Sequence, residues 1–339
     1  MLQTRRRAAD PGAAGAEAEA IATYGVRRRF GDRWALDGIS LRVHRGETYG
    51  FLGPNGAGKS TLFRILCTLL QPTEGIAVVA GYDARTQQRE IRLRIGAALQ
   101  STALDESQTG QELLELQGKL YGLDRRQARR RQGELGELID LGDALRRRVG
   151  TYSGGMRRRL DLALALMHNP SLVFLDEPTT GLDPASRARL WHEIRRLNRD
   201  LGITVFLTTQ YMEEADQLAH RVGFISHGRL VAEGTPAELK RSIGTDLVVA
   251  TISDRADAAP RALAAVRHVR AVDVQGSRVT IAVTDGGAAV SPIAVALTAA
   301  GLQVHDLTLR CPTLDDVFLS ITGEHVLSQM ASREDAYDE

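Results

Sequence analysis

The run Ile39-Ser40-Leu41-Arg42-Val43 alternates apolar and polar side chains, the period of a strand with one buried face. Upstream, residues 26–30 and a Gly31-Asp32 turn predict an antiparallel partner for it. Beyond, the pattern changes. Thr48-Tyr49-Gly50-Phe51-Leu52, Ile95-Gly96-Ala97-Ala98-Leu99, Leu172-Val173-Phe174-Leu175, Thr204-Val205-Phe206-Leu207 and Val222-Gly223-Phe224-Ile225 are short apolar runs separated by helical segments. Strands covered on both faces read this way, so the first domain, residues 21–242, is expected to be α/β with a mainly parallel sheet, an antiparallel β subdomain and a helical subdomain. The helical subdomain is placed at residues 110–150, an Arg-rich stretch without a strand candidate.

From about residue 245 strands are predicted at 247–252, 269–274, 278–283 and 302–309, with helices at 255–267 and 290–300. The order βαββαβ predicts a small α+β, ferredoxin-like domain over residues 245–323, closed by a helix at 313–321. Residues 1–20, rich in Ala and Gly, and the polar residues 324–339 are expected to be disordered tails. Arg5-Arg6-Arg7 is not followed by the apolar core of a secretory signal. The charge-free stretch 286–304 is mostly Ala, Gly, Ser and Thr with Pro292 inside, which predicts a packing helix capped by Gly301 rather than a membrane span.

Composition adds little direction. With 43% hydrophobic and 25% charged residues in 339, the chain has the make-up of an ordinary globular protein long enough for two domains. Its net charge of +1 gives no global attraction to nucleic acid, and none is expected as a partner. The Arg clusters 129–131, 146–148 and 157–159 are read as solvated helix faces. Cys67 and Cys311 lack metal-ligand spacing and are read as reduced, packed thiols.

The candidate chemistry begins at Gly53-Pro54-Asn55-Gly56-Ala57-Gly58-Lys59-Ser60, with Thr61 following, a match to G-x-x-x-x-G-K-[ST]. Glycines let backbone N–H groups close around phosphates, Lys59 reaches the β/γ oxygens, and the Ser60 hydroxyl suits Mg²⁺. The expected strand before it and helix after it supply the setting this motif requires. Downstream, an apolar strand ends in Asp176-Glu177-Pro178. Asp176 is assigned to Mg²⁺ and Glu177 to the general base that deprotonates an attacking water. Tyr152-Ser153-Gly154-Gly155-Met156, ahead of an apolar helix, forms a second anion site from Ser153, Gly154 and Gly155.

In these motifs and their spacing the chain resembles the ABC ATPase family, whose signature reads L-S-G-G-Q. The resemblance spans roughly residues 21–323 and implies further roles. Gln100 matches the glutamine that contacts Mg²⁺ and water and faces the membrane partner. Asp183 matches the D-loop aspartate, and Phe30 the aromatic residue that stacks on adenine. Gln210 stands where the family has its switch histidine. Gln210, the Tyr-Ser-Gly-Gly-Met signature and the segment Pro312-Thr313-Leu314-Asp315-Asp316-Val317-Phe318-Leu319 together resemble the drug-resistance, daunorubicin/doxorubicin-type exporter branch.

That branch implies an ATP-binding, ATP-hydrolysing subunit with Mg²⁺, acting as a head-to-tail homodimer with composite ATP sites. It would sit in the cytoplasm, peripheral on the inner face of the membrane, beneath a separate integral-membrane permease, and export a hydrophobic drug or antibiotic. Two alternatives stand beside it: the ATPase of a lipid or polysaccharide exporter, and a soluble ABC ATPase acting on ribosomes or DNA.

Glutamine can donate to a γ-phosphate but cannot become positively charged. The ATPase rate is therefore expected to lack a break near pH ~6.5 arising at Gln210. Gln210→His should introduce one on the acid limb, and superimposable pH–rate profiles for the two proteins would remove Gln210 from the switch.

Overall fold

The computed structural model describes residues 19–100, 104–244, 246–253 and 255–322. The expected tails therefore lie outside the described residues, apart from Glu19 and Ala20, which open the first strand. The chain divides into two compact units between Pro236 and Ala237, ahead of the expected boundary at residue 242.

In the first unit, β1 (Glu19–Phe30) and β2 (Arg33–His44) form the expected antiparallel pair. β4 (Glu74–Val79) and β5 (Tyr82–Asp83), which the pattern did not single out, extend it to the order β2-β1-β4-β5. A second sheet runs β10-β9-β3-β8-β7-β6. Its members are β3 (Thr48–Leu52), β6 (Ile95–Ala98), β7 (Leu172–Asp176), β8 (Thr204–Thr209), β9 (Arg221–Ser226) and β10 (Arg229–Gly234). All neighbours are parallel except the β9–β10 hairpin at one edge.

The apolar runs have a simple cause. In β7, Leu172 and Phe174 enter a core shared with β1, β2 and helix α1 (Lys59–Leu66), whereas Val173 and Leu175 enter a second core against the helices. β8 divides likewise, Phe206 to one side and Val205 and Leu207 to the other. Phe174 and Phe206 pack at 5.6 Å between centroids, and Phe63 of α1 meets Phe174 edge-on at 5.8 Å. α1 ends at Leu66, and the chain turns away through Thr68, whose φ is 60°.

The helical subdomain holds α3 (Gly110–Leu120) and α4 (Arg125–Leu138), after a short α2 (Gln88–Arg92). Thr109 and Asp124 close capping boxes at the starts of α3 and α4. α5 (Gly154–Leu166), α6 (Pro184–Leu201) and α7 (Met212–Leu218) complete this unit's helices.

The second unit opens with α8 (Pro236–Ile243), whose first residue falls on the N-terminal side of the division. β11 (Asp246–Ile252), β12 (Val269–Gln275), β13 (Arg278–Val283) and β14 (Val304–Arg310) follow, ordered β12-β13-β11-β14 and antiparallel throughout, the ferredoxin-like arrangement. The first expected helix shrinks to a 3₁₀ turn at Ala256–Ala258 and α9 (Ala259–Leu263). α10 (Gly286–Ala299) starts earlier than expected because Asp285 caps it, and it buries Gly286, Ala289, Ile293 and Leu297 along one face. α11 (Leu314–Thr322) closes the unit. Among the described residues no helix is long and apolar enough to cross a membrane. Cys67 is buried and free as expected, but Cys311 is exposed, because it follows β14 rather than lying inside an element.

α6 carries a buried carboxyl at a cost. Glu193 turns inward beside Leu190, Trp191 and Ile194, and its Oε2 has no hydrogen-bond partner. Burial pushes its carboxyl up to about 8; Arg159 at 3.9 Å opposes that rise and Asp140 adds to it. A carboxyl raised in the folded state contributes stability that is complete below its unfolded value, ~4.3, and lost as pH climbs toward 8. The stability advantage of Glu193→Gln over the natural chain should therefore grow by up to ~1.4 kcal/mol per pH unit across that window. Urea melts at pH 5, 6, 7 and 8 read this directly; a difference that stays constant with pH would contradict it.

Candidate functional site

Parallel pairing brings four strand ends to one edge of the second sheet. Leu52 lies opposite Thr209, Asp176 opposite Thr208, and Ala98 opposite Leu175. The phosphate loop, Gln100, the Asp176-Glu177 pair and Gln210 all leave from these ends, the carboxyl side where open α/β sheets bind ligands.

The loop between β3 and α1 depends on glycine. Gly58 adopts φ 116°, and a Cβ there would sit 2.6 Å from the Ala35 carbonyl oxygen. Gly58 also serves as the N-cap of α1 without a side-chain cap, so no capping side chain competes with an anion at this helix start. Lys59 folds its ammonium back to donate to the carbonyl oxygens of Gly53 (2.6 Å) and Pro54 (3.1 Å). It is 4% exposed, and burial holds its pKa below the ordinary lysine value although Glu177 opposes the shift.

Glu177 is the hub. Its Oε1 lies 3.6 Å from Lys59 Nζ; its Oε2 accepts from Gln100 Nε2 at 3.1 Å and from the Thr180 hydroxyl at 3.3 Å. Its backbone is left-handed, φ 46°, a conformation that costs a non-glycine residue about 1–3 kcal/mol. The bond from its N–H to the Thr208 carbonyl, 3.0 Å, helps hold it there. The neighbouring Asp176 is buried and accepts from the Thr208 hydroxyl through Oδ1. Asn55, Gly56, Lys59, Ser60, Gln100 and Glu177 line a cavity of about 190 Å³, with Thr61 also in its wall. A charge-poised carboxylate, an ammonium, a hydroxyl and an uncapped helix start around such a space suit a phosphate and a water.

Other expected site residues stand apart from this wall. Ser153 caps α5, its hydroxyl accepting from Met156 N–H at 3.3 Å while its own hydrogen remains available to donate. Asp183 caps α6 by accepting from Ser186 N–H at 2.9 Å. These two helix starts are packed together: a Cβ at Gly155 would meet Ser186 Oγ at 2.7 Å, whereas Gly154 has room. Phe30 ends β1, is 47% exposed, and has the Arg28 guanidinium 4.6 Å over its ring. Gln210 is half-buried between β8 and α7.

Two things escaped sequence reasoning. The hydroxyls of Thr180 and Thr208 belong to the site, and no spacing rule singles them out from their neighbours Thr179 and Thr209. The cluster 157–159 is not a solvated face: Arg158 is buried, and Arg159 donates inward to the carbonyl oxygens of Ile139 and Asp140. Buried Leu162, Ala163 and Leu166, at i+3, i+4 and i+7 from Arg159, offered a signal for it, but a buried arginine runs against composition-based expectation.

Residues 36–180 match the ABC transporter family, and residues 234–322 match the ATP-binding protein DrrA1-3-like C-terminal domain. Among relatives, a daunorubicin resistance ATP-binding protein, DrrA3, of Streptomyces coeruleorubidus is 49% identical, covering 90% of this chain and 96% of that protein. The doxorubicin resistance ATP-binding protein DrrA of Mycobacterium tuberculosis is 44% identical over 90% and 94%. Of solved structures, the dimeric post-hydrolysis state of the ATP-binding cassette MJ0796 bound to ADP and Pi aligns with a TM-score of 0.58 at 25% identity, covering 63% of this chain and 98% of that one.

Two substitutions separate the roles at the cavity. Glu177→Gln keeps the shape but removes the carboxylate expected to act as base, so ATP binding should persist while turnover falls ~10²–10⁴-fold. Lys59→Ala should weaken nucleotide binding itself. Binding of a fluorescent ATP analogue alongside phosphate release measures both; wild-type turnover by Glu177→Gln would displace Glu177 from the chemistry.

Proposed function

The chain belongs to the ABC transporter ATP-binding proteins, in the branch with a DrrA-type C-terminal domain, and from that premise we propose that it powers export of a hydrophobic drug or antibiotic as a head-to-tail homodimer on a separate membrane permease. ATP hydrolysis is the chemistry of its family and of the cassettes it resembles. The observation that carries the finer reading is the division of the anion-binding groups. Lys59, Gln100 and Glu177 converge on one cavity, while Ser153 and Gly155 form a second helix start outside its wall. A two-fold pairing that brings each signature to the other subunit's phosphate loop completes both sites.

In this reading the loop N–H groups and Lys59 hold the phosphates, and their negative charge replaces Glu177 as the counter-charge of Lys59. Glu177, oriented by Gln100 and Thr180, takes the proton of the attacking water. Gln210 donates to the γ-phosphate, and Phe30 stacks on adenine with the ring face that Arg28 leaves free. Ser60 and Gln100 line the cavity and Asp176 precedes the cavity-lining Glu177; their hydroxyl, amide and carboxylate oxygens suit Mg²⁺, which these residues would hold. When bound, the ion would neutralise charge developing on the phosphate oxygens.

A groove of about 430 Å³ supports the permease. Leu69, Leu99, Leu104, Tyr121 and Leu164 line it beside the exit of β6 toward Gln100, and Leu69 and Leu99 are exposed. A groove with these apolar side chains on its wall suits a short helix of a membrane protein, and in this reading the chain works in the cytoplasm on the inner membrane face. Drug export rests on relatives named for daunorubicin, doxorubicin and linearmycin resistance. A relative named for Nod factor export, 38% identical, supports a different cargo as the second reading.

With saturating ATP, Glu177→Gln should run as a dimer on size exclusion at micromolar concentration with its permease present, and adding Ser153→Arg should return it to monomer. Leu69→Arg should reduce recovery with the permease while ATP binding holds. A Glu177→Gln protein that stays monomeric would end the shared-site reading.

A further inference from the structure

Arg158 is 7% exposed on α5, five residues after the Ser153 cap, and its guanidinium is spent on backbone. Nη2 donates to the Asp176 carbonyl oxygen at 2.8 Å and Nε to the Pro178 carbonyl oxygen at 2.9 Å, the residues on either side of Glu177. Nη1 donates to the Leu99 carbonyl oxygen, the peptide that precedes Gln100, and to Asp161 Oδ2 at 3.3 Å. Asp161, Asp176 and Glu214 offset the buried charge. Three segments that are remote in sequence therefore share one planar, rigid donor. Glu177 needs such a brace, because it sits at φ 46°, where the chain relaxes unless its surroundings over-determine it.

We propose that Arg158 is a positioning residue that fixes the Glu177 carboxylate and the Gln100 amide from the signature helix, so that the signature and the hydrolytic end of one chain move together. The consequence follows from the shared-site reading, on which the inference rests. A signature gripping the partner's nucleotide would, through Arg158, set the hydrolytic groups of its own subunit, linking the two sites without any contact between the two nucleotides. A lysine cannot reproduce this, since an ammonium lacks the fork that spans three carbonyls.

The test uses the full chain in steady-state and single-turnover ATP hydrolysis. Arg158→Gln should lower kcat by roughly 10- to 100-fold, the effect of misplacing a reacting group by about 1 Å, with KM for ATP changed by less than about threefold. Arg158→Lys, which retains the charge, should fall between the two. In a cycle with Glu177→Gln, adding Arg158→Gln should cost clearly less than it does in the natural chain, because most of its effect passes through Glu177. Multiplying losses in the double variant, or a kcat unchanged in Arg158→Gln, overturn the proposal. If circular dichroism shows Arg158→Gln unfolded, the Arg158→Lys arm decides alone: a folded lysine variant with wild-type kcat overturns it. Wild-type turnover by Glu177→Gln itself would instead overturn the role of Glu177, a result distinguishable from the others.

Discussion

Parallel alignment of β3, β8, β7 and β6 is the constraint on which the site depends. Strands that run the same way present their carboxyl ends along one edge, so residues far apart in sequence leave the sheet within reach of one another. The phosphate loop and Glu177 are separated by more than a hundred residues, yet Lys59 and Glu177 meet at 3.6 Å. The alignment persists because both faces of these strands are apolar and buried. A one-residue slip of β7 would exchange Phe174 with its neighbours and drive each into the wrong core.

Around that edge the chain buries an uncommon amount of charge. Lys59, Asp176, Glu177 and Arg158 are all below a tenth exposed. Each is satisfied differently: Lys59 by loop carbonyls, Asp176 by a threonine hydroxyl, Glu177 by an amide and a hydroxyl, Arg158 by three carbonyls. Buried charges held by fixed dipoles are already oriented when a ligand arrives, which is what a site for a highly charged substrate requires. Removing one partner would leave another group uncompensated, and such networks therefore respond as units rather than as sums.

Helix capping sorts the anion-binding ends of the fold. The starts of α3, α4, α5 and α6 are closed by Thr109, Asp124, Ser153 and Asp183, whereas α1 begins at a glycine. Only a cap that is also a hydroxyl, as at Ser153, can accept from its own helix and still donate outward. That difference separates Ser153 from the carboxylate caps, which would repel a phosphate.

Much of this protein was legible in the chain itself. The phosphate loop, the Asp176-Glu177 strand end and the Ser-Gly-Gly helix start are local motifs, and backbone geometry at glycine and at a helix terminus is decided within a few residues. Strand positions followed from apolar runs, and the βαββαβ order of the second unit from the alternation of patterns. What needed the tertiary structure was everything that depends on which segments lie side by side: the extra strands β4 and β5, the hydroxyls of Thr180 and Thr208, and the exposure of Cys311. Arg158 and Glu193 are the sharpest cases. An arginine or glutamate in a helix is written the same way whether it faces water or the core, and only packing decides which carbonyl or carboxylate it meets.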